Sequence, residues 1–279
     1  MRRPYLLPVQ FASATDVGRV RTHNEDALTV SAELGLAIVA DGMGGYNAGE
    51  VASGIATSVL AEALEQRFRG EPSLLALPAQ RMQQLLADEI QHANASIYAA
   101  ACQETGYKGM GTTLVLALLR QRELVIAHIG DSRAYCFREQ KLRALSRDHS
   151  LLQQQLDAGL ITAEQARAAK QKNLLTRGMG VDSTVEVEVH THPLAPGDII
   201  LLCTDGLTDE LSDRSIEDLL IHGAGDLEQT CRDLVASANA RGGADNISVV
   251  LVRRPDPPGG DGLGRRLLRG LSEFLFLSR

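Results

Sequence analysis

The chain has 279 residues, 44% of them apolar and 23% charged, with a formal net charge of −7. That balance suits one large globular domain or two small ones, and its acidity excludes a protein held to nucleic acid by a basic footprint. With no tryptophan and only 4% aromatic residues, the core has to be built from Leu, Val, Ile and Ala.

In chain order, the opening MRRPYLLPVQ carries basic residues but an apolar run broken by Pro4 and Pro8, so no signal peptide is expected and the location read from it is cytoplasmic. RTHNEDALTV leads into a first β-prone run, and a second covers 35–40. Helical periodicity then occupies 49–68 and 80–102. Apolar runs at 113–119, 124–129, 198–203 and 247–252 read as strands. RELVIAHIGDSRAYCFREQKLRAL reads as strand, turn, strand, turn, with REQK at a hairpin tip. The segment 150–180 is polar and rich in Gln and Ala, suited to short helices, and STVEVEVH alternates as a half-exposed strand does. A last helix is predicted over 226–240. So many adjacent strands joined by short turns argue for mostly antiparallel sheets with helices packed outside.

Beyond the domain over 1–252, RRPDPPGGDGLG reads as a linker over 253–264. The tail over 265–279 places Leu267, Leu268, Leu271, Phe274 and Leu275 at helical spacings behind Arg265, Arg266 and Arg269. It is too short and too charged to span a bilayer. Packing on its own domain or fraying is the expectation, with docking to a membrane surface or partner as the alternative.

The four cysteines, Cys102, Cys136, Cys203 and Cys231, form no C-x-x-C pair, and none has Arg six positions on. They read as reduced thiols, and the Cys-x5-Arg arrangement of a thiol phosphatase is missing. Acids recur instead at strand ends. Asp41 follows GLAIVA, Asp131 follows LVIAHIG and Asp205 follows IILLCT, while Asp245 and Asn246 precede ISVVLV and Glu25 and Asp26 precede ALTV. Each alone reads as a turn or a solvated loop, and Asp131-Ser132-Arg133 as a hairpin. Antiparallel neighbours, however, bring the end of one strand beside the start of the next, so these acids can converge on one edge. Gathered carboxylates repel unless a cation is present, and an all-oxygen set favours Mg²⁺ or Mn²⁺ over Zn²⁺. Glycine after Asp41 lets the backbone turn a carbonyl toward such an ion.

VGRVRTHNEDA, IVADGMGG, GTTLVLAL, AHIGDSRAY, LCTDGLTD and GGADNISVVLV, in that order, resemble the motif series of the metal-dependent (type 2C) Ser/Thr protein phosphatases in their short bacterial form. The resemblance spans 11–252. It implies an α+β fold, a four-layer α-β-β-α sandwich of two mostly antiparallel sheets flanked by helices, with a binuclear metal site at one edge. It implies Mn²⁺ or Mg²⁺ as cofactor, two ions in the core site with a third possible. Asp41 resembles the carboxylate bridging both ions, Asp205 and Asp245 ligands of the first, and Glu25 with the Gly42 carbonyl ligands of the second. Asp26 resembles the neighbouring acid that holds metal-bound water, and Asp131 with Asp209 a looser third-metal site. Arg21, four residues before Glu25, resembles the arginine gripping the substrate phosphate, which its planar fork suits. The segment 150–180 resembles the family's flap.

The expected activity is hydrolysis of phosphoserine and phosphothreonine by direct attack of a metal-bridging hydroxide. The implied partners are phosphorylated proteins, a cognate Ser/Thr kinase and its substrates among them, and the expected state is a monomer. One departure is Met43, where animal members carry a histidine thought to protonate the leaving group. Metal-bound water is the first substitute and His149 the second; the other histidines read as core or surface residues. A dedicated switch phosphatase for one small regulatory phosphoprotein is the alternative with the same chemistry. A non-catalytic phospho-binding regulator would be expected to have lost metal acids, and none is missing.

Overall fold

A computed structural model describes residues 9–45, 48–120, 122–168 and 174–254. The tail over 265–279, the linker beyond Arg254 and the chain start over 1–8 lie outside the described residues. Two antiparallel sheets stack face to face. In the first, β1 (Gln10–Asp16) borders β11 (Ile247–Arg253), followed by β10 (Ile199–Cys203), β7 (Arg133–Arg138) and β8 (Lys141–Ala144). In the second, β2 (Asp26–Ser31) is followed by β3 (Leu36–Met43), β5 (Leu114–Arg120), β6 (Glu123–Ile129) and β9 (Glu188–Pro193), with the short β4 (Gly111–Thr112) pairing the end of β3.

Side-chain alternation along the strands builds three cores from this stack. Ala37, Val39, Val115, Ala117, Ile200 and Val250 meet between the sheets. The opposite faces of β3 and β5, through Leu36, Ile38, Leu114 and Leu116, pack on α1 (Ala48–Gly70) and α2 (Ala79–Gln103). Those of β10 and β11, through Leu201, Val249 and Leu251, pack on α6 (Asp213–Gly223) and α7 (Leu227–Arg241). The result is the expected α-β-β-α sandwich. Full burial of each large aliphatic side chain contributes roughly 1.5–3 kcal/mol relative to exposure, so three aliphatic cores compensate for the missing tryptophan.

Three local outcomes differ from the sequence reading. Asp131-Ser132-Arg133 closes no hairpin, because β6 and β7 belong to different sheets and the turn crosses between them. In STVEVEVH only Glu188 onward is strand: β6 pairs Glu188 at His128 and then leaves the sheet at Ile129, so no partner remains for earlier residues. Val185, Val187 and Val189 still pack on one core, as the alternation requires. The helix α6 went unpredicted, although Ser212 caps it by accepting the Ser215 N–H at 3.2 Å and Ile216 and Leu220 form its buried stripe. The REQK tip is a tight turn, with Glu139 and Gln140 at φ 51° and 60°.

The flap segment forms α3 (Leu151–Asp157) and α4 (Ala163–Ala168), and the short α5 (Asp205–Thr208) follows β10. The base of the flap closes on itself through an antiparallel bridge from Ser150 to Leu175 and joins β4 through one from Thr112 to Met179. Among the described residues no helix is long and apolar enough to cross a membrane.

Candidate metal centre

The inter-sheet face changes character at one edge. The register that buries Ala37 and Val39 brings Asp41 to the same side, and the β2–β3 pairing sets Asp26 directly opposite Asp41. The equivalent positions on neighbouring strands are Thr113, Ser132, Thr204 and Ser248, all buried. They hydrogen-bond one another and the acids. Thr113 Oγ1 lies 2.7 Å from Ser132 Oγ and accepts the Asp41 N–H at 3.0 Å; Thr204 Oγ1 donates to Asp26 Oδ2 at 3.0 Å and accepts the Ser248 N–H at 3.0 Å.

Two further elements complete the edge. Buried Asn246 accepts the Glu25 N–H at 2.8 Å and donates to the carbonyls of Val17 (2.9 Å) and His23 (2.8 Å), fixing the loop that carries Arg21. Arg21 Nη2 then pairs with Asp245 Oδ2 at 2.7 Å. From the other side, α1 presents small residues at its start, Ala48, Gly49, Ala52 and Ser53, all buried. They let the helix approach β3 so closely that a Cβ on Gly42 would lie 2.1 Å from the Gly49 carbonyl oxygen. Ser53 Oγ donates to the Glu25 carbonyl at 2.6 Å, and Gly42 N–H donates to the same oxygen at 3.0 Å.

These contacts bring together every acid singled out from the sequence. Burial first, then repulsion from Asp205, Asp26, Asp131 and Asp245, pushes the Asp41 carboxyl well above the usual range. Burial and neighbouring acids likewise raise Asp26 to about 7, Asp131 to about 8 and Asp205 to about 6. Glu25 is raised by burial, with Arg21 opposing. Asp209 sits one turn on from Asp205, its N–H donating to the Asp205 carbonyl at 2.7 Å, and adds to the repulsion there. Carboxylates that cannot ionise together on their own are matched by divalent cations, and the set offers oxygen donors only. Asp26 Oδ1 is buried with no hydrogen-bond partner among the described residues, an acceptor left open at this edge. The residues present therefore fit a hard-cation centre.

Met43 and His149 stand apart from this group. A Cβ on Gly178 or Gly111 would lie 2.4 or 2.9 Å from Met43 Cε, so the methionine methyl fills a gap left by two glycines. His149 is buried; its Nδ1 accepts the Gly130 N–H at 3.2 Å, which places the ring proton on Nε2, 3.1 Å from Glu188 Oε1. Its ring stacks on His128, with centroids 4.7 Å apart. His128 Nε2 in turn lies 2.9 Å from the Arg147 carbonyl and donates to it. His149 is thus tied to Glu188 and His128 to the Arg147 carbonyl, each through a protonated Nε2, although with Glu188 their ligand atoms lie within 4.8 Å of one another. The role of Asn246 and the polar layer of Thr113, Ser132, Thr204 and Ser248 were not recognised from sequence. Their signal is a hydroxyl or amide on the core-facing register at a strand end.

The family model described as "Protein phosphatase 2C" matches residues 18–251. The serine/threonine phosphatase stp of Listeria welshimeri is 40% identical over 243 residues, 86% of this chain and 94% of that one. The protein phosphatase PhpP of Streptococcus pneumoniae is 34% identical over 247 residues, 88% and 97% of the two chains. Among solved structures, the catalytic domain of the serine/threonine phosphatase PstP in complex with two manganese ions superposes with a TM-score of 0.76 at 33% identity, covering 89% of this chain and 99% of that one. The chain belongs to the protein phosphatase 2C family, as a metal-dependent serine/threonine phosphoprotein phosphatase.

Proposed function

We propose that Asp41, Asp205 and Asp245, with Glu25 and the Gly42 carbonyl, hold the two divalent ions, Mn²⁺ or Mg²⁺, and that Asp41 bridges them. The single observation carrying this reading is the central position of Asp41, whose carboxyl feels Asp205, Asp26, Asp131 and Asp245 at once. Ions held there would give a nucleophile from water at neutral pH and offset the charge on the phosphoryl oxygens. Arg21 would grip two of those oxygens with its planar fork, leaving Asp245 to the cation. Asp26, anchored on Thr204 through Oδ2, would orient a water through its unpartnered Oδ1. Water oxygen bonds to phosphorus, the P–O bond to the Ser or Thr side chain breaks, and that oxygen takes up a proton. Met43 has none to give and His149 directs its own at Glu188, so the proton comes from water at the cluster.

Asp131 and Asp209, which line one cavity with Asp205, would hold a third, looser ion. The substrates would be phosphorylated proteins in the cytoplasm, a cognate Ser/Thr kinase and its targets among them, handled by the monomer. The test is phosphate release from a phosphothreonine peptide with Mn²⁺. Activity is expected to vanish on chelation and in Asp41→Asn and Asp205→Asn; turnover surviving in either variant would defeat the assignment.

A further inference from the structure

A cavity of 720 Å³ opens beside the acids and reaches away from them beneath the flap. Its inner end is Asp131, Asp205 and Asp209; its floor is the outer face of the first sheet, at Arg133, Tyr135 and Ala144. The roof is α3, which buries none of its residues. Leu152 and Leu156, one helical turn apart, are half-buried and line the cavity, with Leu211 also in its wall. An apolar helix face thus spans a gap instead of packing on the sheet.

The polar groups of the floor are already satisfied. Arg133 holds Asp148 through two bonds of 2.8 and 2.7 Å and donates to Tyr135 Oη at 3.3 Å, and that hydroxyl donates to Asp213 Oδ1 at 3.1 Å. The rim is different. Arg147 and Arg214 line it, and their partners, Asp157 for the first and Glu217 (2.8 Å) and Asp218 (3.1 Å) for the second, are engaged by guanidinium side chains 64% and 69% exposed. The Arg147–Asp157 and Arg214–Asp218 pairs are exposed and contribute little, so either arginine can exchange that partner for another carboxylate. Glu217 is buried but also accepts the Leu142 N–H at 2.9 Å and faces Lys141, so it does not depend on Arg214 alone.

We propose that this cavity binds the substrate chain beside its phosphoresidue, taking an apolar side chain between α3 and Leu211 and an acidic one at Arg147 and Arg214. The inference rests on the phosphatase reading, because hydrolysis fixes the phosphoryl group at the acids that form the inner end of the cavity. An extended chain advances roughly 3.3 Å per residue, so side chains two or three positions from the phosphoresidue pass over the gap. The leucines supply the apolar contact, and the rim arginines match the charge of an acidic neighbour in an otherwise acidic protein.

The test compares three phosphothreonine peptides, carrying Leu and Glu, Gly and Gly, or Leu and Lys on the flank, with p-nitrophenyl phosphate, which is too short to reach the cavity. The wild-type protein with Mn²⁺ is expected to prefer the Leu/Glu peptide through KM. Leu156→Asp should raise KM for the Leu peptides about tenfold and leave the Gly peptide and p-nitrophenyl phosphate unchanged. Arg147→Glu with Arg214→Glu should invert the preference between Glu and Lys. Leu156 lies outside the three cores, and an unchanged melting temperature checks that its variant is folded. Peptide turnover indifferent to the flank, or a loss shared equally with p-nitrophenyl phosphate, would overturn the cavity assignment. A wild-type protein inactive on p-nitrophenyl phosphate would instead count against the phosphatase reading.

Discussion

Asn246 directs its whole side-chain amide at backbone groups of the loop carrying Arg21, and no water or ion can replace such a pattern at a buried position. Asn246→Ala should therefore cost about 3 kcal/mol of stability from the partners it leaves unpaired, read as a lowered midpoint in urea. It should also cut kcat/KM, because the Arg21 loop loses its tether. Arg21→Ala should leave the fold intact, since its ion pair with Asp245 is exposed, and reduce kcat/KM about ten- to a hundredfold through loss of a charged hydrogen-bonding group. The acids themselves were legible as residues because each interrupts or borders an apolar run. Asn246 was not legible beyond a turn opener, since its partners, Val17, His23 and Glu25, lie more than two hundred positions away in sequence and only pairing brings them near. The tautomer of His149 was equally hidden: it follows from one backbone N–H, that of Gly130.

Among the elements, α1 matters most to the centre. Its N-terminal residues are small because β3 passes directly beneath, and Gly42 is the point of closest approach. Gly42→Ala should push the helix off the strand, releasing Ser53 from the Glu25 carbonyl, so that the variant either fails to fold or loses Mn²⁺-dependent activity and cation affinity together, measured by calorimetric titration of the metal-free protein. The long helices α1, α2 and α7 could be read from periodicity to within two residues at each end, and the main strands from their unbroken aliphatic runs. The exceptions have physical causes. β9 starts late because its partner strand leaves the sheet, and the crossing from β6 to β7 looks like a hairpin locally because nothing in GDS records which sheet each strand joins. The short α3 and α4 could be anticipated in kind but not in place, since α3 fully buries none of its residues and its apolar face is only the pair Leu152 and Leu156, too short a stripe to fix its ends.

At the scale of the molecule, the acidic edge ties stability to both pH and cations. Asp26, Asp205 and Asp131 have native values of about 7, 6 and 8 against an ordinary 3.8. Below the ordinary value native and unfolded chains are both protonated there. Between it and the raised values the native protein keeps protons the unfolded chain has released, so this contribution falls as pH rises through that window and levels off above it. The metal-free protein should accordingly lose melting temperature between pH 5 and 8 more steeply than its Asp26→Asn variant. Mn²⁺ at a fixed concentration, a hundred times its dissociation constant at pH 8, should raise the melting temperature there by about 5–10 °C, and by less at pH 5, where protons compete for the same carboxylates. A shift independent of pH would contradict the coupling.

One pairing has a consequence for the protein's synthesis. β1, the first strand described, is hydrogen-bonded along its length to β11, the last, and Asp245 enters the centre only with that final strand. On the ribosome, β1 has no partner until nearly the whole domain has emerged, and every earlier length of nascent chain leaves β10 exposed along one border. Such long-range closure slows folding and leaves an unpaired edge open to aggregation meanwhile. On the proposed ligand assignment, a chain that lacks this last strand lacks Asp245 as a cation ligand as well as the partner of β1, so the site and the sheet are completed together.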